Sequence, residues 1–349
     1  TEADSMHHYR MRLCLIQITV GETNWLLDPL SELDLTPVFK TKAMQILLLH
    51  GADYDLRLLY QKYSFTPRIV FDTMLAAKIL GKPNLGLSNL VEEYFGITLK
   101  KDNQRADWTI RPLPEDMKDY AVHDTIYLHE LSARLGEELI AANRMLWHAE
   151  SCLQLLEHVK HVAPQKKDPW KISGSKHLPP RSLNLLRSLY AWREQEAEKN
   201  DKPPYKILPP DLMLAIVRSA SATFPEVDMS RLPRLPRRYT GELLESFIST
   251  LEQAMRIPVE EWPKSEPKAP PPSSVPDADL LLAMKFWRDE KAEKLGIDPA
   301  MLGNRNQMII LCMQKDDSWE ERYQNAGLMF WQKSIWNEIL LENLGGEEK

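Results

Sequence analysis

An α/β domain followed by an all-helical region is the fold class that this sequence predicts, and three observations carry the prediction. Short apolar runs alternate with helix-spaced segments over roughly the first 150 residues, the pattern of a sheet flanked by helices. Strand signals stop near residue 175. Beyond that point the chain is helical and broken by two proline-rich stretches, "PRLPRR" and "PKSEPKAPPPSSVPDAD".

Bulk composition bounds the reading. Its 349 residues exceed one typical core, so two or three domains are expected. A hydrophobic fraction of 43% with 27% charged residues describes a globular chain and argues against a disordered one. No apolar run approaches the ~20 residues of a bilayer-spanning helix, so no membrane partner is expected. Cys14, Cys152 and Cys312 are far apart and lack metal-ligand spacing, which points to a reducing, cytoplasmic location.

Each element then follows in order. "LCLIQITV" and "NWLLD" are apolar runs joined by a Gly-containing turn, and they predict a hairpin over 13–28. "AMQILLLH" is continuous and apolar, as a strand buried on both faces would be. "DYDLRLLYQKY" places Leu56, Leu59, Tyr60 and Tyr63 at helical spacing. "RIVFD" predicts a second buried strand, and "TMLAAKIL" a helix with Asp72 at its start. "LSNLVEEYFG" predicts a helix closed by Gly96. After a polar loop containing Trp108, "PEDMKDYAVHDTIYLHELSARLGEEL" predicts one long amphipathic helix with Pro114 in its first turn.

The helical remainder contains an internal repeat. "AWREQEAEK" at 191–199 aligns with "FWRDEKAEK" at 286–294, matching Trp192 with Trp287, Arg193 with Arg288 and Ala197 with Ala292. Duplication of one small module is expected. The reading divides the chain into an α/β domain over 1–158, a basic linker over 159–174, a helical module over 175–262, a Pro-rich linker over 263–278 and a second module over 279–349. Within a chain of net charge −6, residues 160–187 carry seven Lys and Arg against Asp168 alone. Such a local basic band suits backbone phosphates, and it equally suits a solvated linker.

Three acidic residues stand out by their settings. Glu2 precedes the hairpin, Asp55 follows the buried strand in "HGADYD", and Asp124 lies in "YAVHD". Reactive groups in open α/β sheets collect beyond strand ends. Tyr120 and Asp124 are four residues apart, so a phenol and a carboxylate share one helix face. Asp53 and Asp72 are read as helix-start residues instead.

These segments carry a resemblance. "TE" followed by "LCLIQI", then "HGADYD", then "YAVHD", with Lys101, Gln104, Asp107, Trp108, Arg111, Pro112 and Leu113 between, resembles the motif series of the ribonuclease D group of 3′→5′ exonucleases. The repeated Trp-Arg segments resemble the helicase-and-RNase-D C-terminal (HRDC) domain, present twice. The resemblance spans nearly the whole chain. It implies a ribonuclease-H-like domain, with a mixed central sheet flanked by helices, followed by two HRDC-like domains.

The implied activity is removal of 3′-terminal nucleotides from RNA by two-metal hydrolysis. Glu2, Asp55 and Asp124 would ligate two Mg²⁺ or Mn²⁺ ions, Tyr120 would position the water, and Lys101 would bind the substrate phosphate. The implied partner is RNA with a free 3′ end, transfer RNA precursors in particular, acted on by a monomer. The group's first aspartate would stand directly before Thr1, so the resemblance implies an N-terminally incomplete chain holding three of four acidic ligands. Two alternatives from other classes stay open: a DNA-directed proofreading exonuclease, and a non-catalytic RNA-binding relative.

Overall fold

The computed structural model describes residues 1–4, 6–100, 102–160, 168–264, 276–313 and 317–344. Compact packing groups the described residues of 1–2, 13–160 and 276–344 into one unit, and those of 3–12 and 168–264 into another.

The first unit begins with strands. β1 (Glu2–Asp4), β2 (Arg12–Val20) and β3 (Thr23–Leu27) form a sheet in that order. β2 and β3 make the expected antiparallel hairpin, with Val20 opposite Thr23 across the turn. Leu13 to Gln17 of β2 are all buried, so this strand is covered on both faces. After α1 (Thr36–Phe39), the apolar run at 43–50 yields a shorter strand, β4 (Ile46–Leu49), because Lys42–Gln45 wind into a 3₁₀ turn. α2 (Asp53–Tyr63) buries Leu56, Leu58 and Leu59. β5 (Ile69–Asp72) runs parallel to β4, pairing Leu49 with Asp72, and leads directly into α3 (Thr73–Ile79).

α4 (Leu87–Phe95) ends at Gly96, whose φ of 68° is left-handed and whose N–H closes on the Glu92 carbonyl. The loop that follows is held by Arg111, which forks onto Asp28 at 2.7 and 2.8 Å and also donates to the Cys14 and Trp108 carbonyls. Trp108 is buried against Cys14, Leu15 and Met117.

The α/β class is as expected, with its strands in two pieces, the sheet β1-β2-β3 and the parallel pair β4-β5. Among the described residues, no strand bridges the two pieces; Glu2 and Leu47 to Leu49 face an open cleft instead. The expected long helix is two, α5 (Glu115–His123) and α6 (Leu128–Ala141). The break falls in "VHDTI", where β-branched Val122, Thr125 and Ile126 crowd one turn. There the Thr125 hydroxyl bonds the Val122 carbonyl, and backbone bonds tighten to three-residue spacing at Asp124, Thr125 and Leu128.

α7 (Met145–Lys160) packs on β5 and α3 and closes the α/β core. It also carries the C-terminal helices of the same unit: α12 (Ala278–Leu295), α13 (Arg305–Leu311), α14 (Trp319–Asn325) and α15 (Phe330–Leu344). Trp147 of α7 stacks on Trp331 at 4.7 Å and 14°. Glu150 accepts from the Trp331 backbone N–H at 3.1 Å and from that of Phe330, which caps the start of α15. Arg144 bridges the Ile79 and Leu295 carbonyls. Gly81 and Gly296 approach so closely that a Cβ on Gly81 would stand 1.8 Å from the Gly296 carbonyl oxygen.

The second unit is built on α8 (Pro180–Lys199), α9 (Pro204–Ile207), α10 (Pro210–Ala222) and α11 (Gly241–Arg256). Trp192 is buried there and donates to Ser246 at 3.0 Å. The Trp-Arg repeat has a structural counterpart. Arg193 forks onto the next residue, Glu194, and Arg288 forks onto the next residue, Asp289. Ala197 and Ala292 are both fully buried, and each of their carbonyls accepts the N–H five residues on. The linker expected at 263–278 lies mostly outside the described residues, as do 161–167 of the basic band.

The Trp147–Trp331 stack joins the C-terminal helices to the α/β core, which makes it a stability element. Trp331→Ala should lower unfolding free energy by about 3 kcal/mol or more, the usual result of deleting a buried Trp side chain. Denaturant titration measures this, and an unchanged midpoint would show the stack to be incidental.

Candidate active site

A cleft of about 1070 Å³ opens beside the ends of β1, β2 and β4 and is closed on its other sides by α2, α4 and α5. It gathers Glu2, Asp55, Tyr120 and Asp124, which are 122 positions apart in sequence at their extremes (124 minus 2). Lys101 lies outside the described residues; its neighbours Lys100 and Gln104 line the cleft.

Each side chain arrives by a different route. Glu2 leaves β1 and accepts from Gln17 Nε2 of β2 at 3.3 Å. Asp55 sits in the first turn of α2, where the helix N-terminus favours a negative charge. The neighbouring Asp53 instead pairs with Arg57 one turn along, and it does not line the cleft. Tyr120 and Asp124 stay four residues apart at the end of α5, where Asp124 is the C-terminal cap with right-handed backbone angles. The Tyr120 ring packs 6.0 Å from that of Trp108, so the loop that Arg111 holds also seats the phenol.

The electrostatics are set first by burial and then by neighbouring carboxylates. Burial pushes the Glu2 carboxyl up to about 8; the Thr1 ammonium opposes this, and Asp124 and Asp55 add to it. Asp124 is raised as well, first by burial, although the Thr1 ammonium and a hydrogen bond from Glu2 pull it back. Burial and mutual proximity thus oppose full ionisation of Glu2. Burial, Asp124 and Glu2 together raise Tyr120, so it stays a phenol and can donate. His50 at the cleft edge is lowered, chiefly by burial, and is neutral at pH 7.

The donor set suits a hard cation. Three half-buried carboxylates provide oxygen ligands and negative charge, as Mg²⁺ and Mn²⁺ require. Gln17 is the residue that motif reading passed over. It stood inside "LCLIQI", but only its contact with Glu2 shows its role.

The raised Glu2 carboxyl has a measurable consequence. It holds its proton more tightly in the fold than at its ordinary value of 4.5. Its contribution to stability is therefore full below that value and is lost as pH rises through about 8. Glu2→Gln lacks this titration. Without divalent cations, its melting temperature relative to wild type should climb from pH 5 to pH 8; a flat difference would mean that the carboxyl is not perturbed.

Comparison with known proteins relates the chain to nucleases. A family profile described as 3′-5′ exonuclease matches residues 1–140, and the HRDC domain profile matches residues 182–249. The ribonuclease D of Pseudomonas paraeruginosa is 29% identical over 295 residues, covering 82% of this chain and 76% of its own. That of Escherichia coli K12 is 29% identical over 270 residues, covering 76% and 70%. The fold matches the crystal structure of E. coli RNase D with a TM-score of 0.64 at 23% identity, over 100% of this chain and 92% of that one. A protein from Bifidobacterium adolescentis matches with a TM-score of 0.77 at 22% identity, over 97% and 90%. Residues 1–140 thus match the 3′-5′ exonuclease family and residues 182–249 the HRDC domain, and the chain is similar along most of its length to ribonuclease D.

Proposed function

We propose that this protein is a 3′→5′ exoribonuclease that hydrolyses the terminal phosphodiester of RNA with two divalent cations, Mg²⁺ or Mn²⁺, held by Glu2, Asp55 and Asp124. The convergence of three carboxylates from β1, α2 and α5 on one cleft carries this reading. Two bound cations would supply an activated water and would neutralise charge at the leaving 3′-oxygen. The chain's own groups do the rest. Asp55, Asp124 and Glu2 offer carboxylate oxygens from three separate elements. Tyr120, kept protonated, hydrogen-bonds and orients the attacking water. Gln17 fixes the direction of Glu2. Lys101 contacts the terminal phosphate in this reading.

RNA is favoured over DNA as substrate because the curated relatives are ribonucleases D and because the Lys101 to Leu113 segment carries that group's signature. Transfer RNA precursors with free 3′ ends are the proposed substrates, bound by a cytoplasmic monomer. We further propose the domain limits 1–158, 175–262 and 279–349, the last a second HRDC-like module. The matching Arg193 and Arg288 forks and buried alanines support the duplication.

The test is release of nucleotides from matched RNA and DNA oligonucleotides bearing 3′ tails. It runs on the sequence as given and on one with an aspartate-ended strand placed directly before Thr1. RNA should be degraded in preference to DNA, and only with a divalent cation. Asp124→Asn should abolish turnover while the fold stands, Asp55→Asn should do the same, and Asp53→Asn should leave turnover near wild type. Preferential DNA digestion, or equal losses at Asp53 and Asp55, would defeat the reading.

A further inference from the structure

We infer that Asp72 and Thr73 are positioning residues for the nuclease reaction, acting by clasping the turn that presents Asp55. The sequence alone casts Asp72 as the cap of α3, and it does cap that helix: its Oδ1 accepts from the Met74 and Leu75 N–H groups at 2.8 and 3.2 Å. A cap needs nothing more. Yet the same carboxylate also accepts from Gly51 N–H at 3.0 Å and from Ala52 N–H at 2.8 Å, across 21 and 20 residues of sequence. Ala52 begins α2 without any side-chain cap of its own, so Asp72 serves the N-termini of two helices.

Thr73 holds the residues just before. Its hydroxyl lies 3.1 Å from the Leu49 carbonyl, to which it donates, and 2.9 Å from His50 Nδ1. With the hydroxyl proton directed to Leu49, His50 must donate from Nδ1, which leaves Nε2 as the unprotonated nitrogen of a neutral ring. Leu49, His50, Gly51 and Ala52 are thus all tied to two consecutive residues of a neighbouring strand end.

Asp55 lies one helical step beyond, and the first bond of α2 runs from Leu56 N–H to the Ala52 carbonyl. Asp72 is 2% exposed, and the His148 ring meets its carbonyl from behind at 3.1 Å. Buried and accepting from four N–H groups, it is a stiff anchor rather than a surface cap. A shift of the 49–52 turn moves Asp55 relative to Glu2 and Asp124, whose own elements do not share the clasp.

This inference rests on the two-cation reading, and the experiment separates the two. Mn²⁺ binding to the full chain is followed by electron paramagnetic resonance of the free ion, for wild type, Asp72→Ser, Thr73→Val and Asp124→Asn. Amide hydrogen exchange is followed by mass spectrometry over 49–56. Serine can still cap α3 but is too short to reach Gly51 and Ala52. Folded Asp72→Ser should bind Mn²⁺ about tenfold or more weakly, as loss of groups supporting metal ligands does, with faster exchange at 51–52. Thr73→Val should shift both readings in the same direction, and it decides the matter if Asp72→Ser does not fold. Weakened binding in Asp124→Asn with wild-type binding in the folded clasp variants would overturn the clasp alone. Wild-type binding in Asp124→Asn as well would overturn the cation reading beneath it.

Discussion

Three carboxylates held in one half-buried cleft repel one another, and the rest of the α/β domain is arranged around keeping them there. No single element could do this. Carboxylates on one strand or one helix turn would spread into water and relieve their repulsion. Here Glu2, Asp55 and Asp124 come from β1, α2 and α5, each fixed by packing that is remote from its charge. The cost shows in the raised Glu2 and Asp124 carboxyls, driven first by burial, with Asp55 adding to both. A cluster that resists its own ionisation is a cluster poised for cations.

The supporting contacts are polar and directional. Gln17 aims Glu2 from the adjacent strand. Arg111 ties the Trp108 loop to Asp28 and to β2, and Trp108 in turn seats Tyr120. The clasp from Asp72 and Thr73 does for α2 what the loop does for α5. Farther out, α7 links this core to the C-terminal helices through Trp147, Glu150 and Arg144. Those helices thus pack with the α/β core in one compact unit.

Much of this was legible in the sequence where the signal was local. The β2–β3 hairpin, α2, and the Gly96 stop of α4 follow from periodicity and turn chemistry within a dozen residues. The convergence of Glu2, Asp55, Tyr120 and Asp124 was legible through motif spacing rather than through periodicity. Long-range pairing was not legible. The α5–α6 break depends on Thr125 bonding backwards and also meeting Thr19, a contact across 106 residues. Asp72 looked like an ordinary cap because its cap bonds are local, whereas its bonds to Gly51 and Ala52 cross from one strand end to the next. Likewise, nothing in "LWHAE" announces that Trp147 will meet Trp331.

The central claim is that the acidic cleft is a two-cation centre. Anomalous scattering from crystals soaked in Mn²⁺ tests it most directly. The account predicts two peaks ~3.5–4 Å apart, bounded by Glu2, Asp55 and Asp124. Anomalous density absent from this cleft, or found only elsewhere, would contradict it.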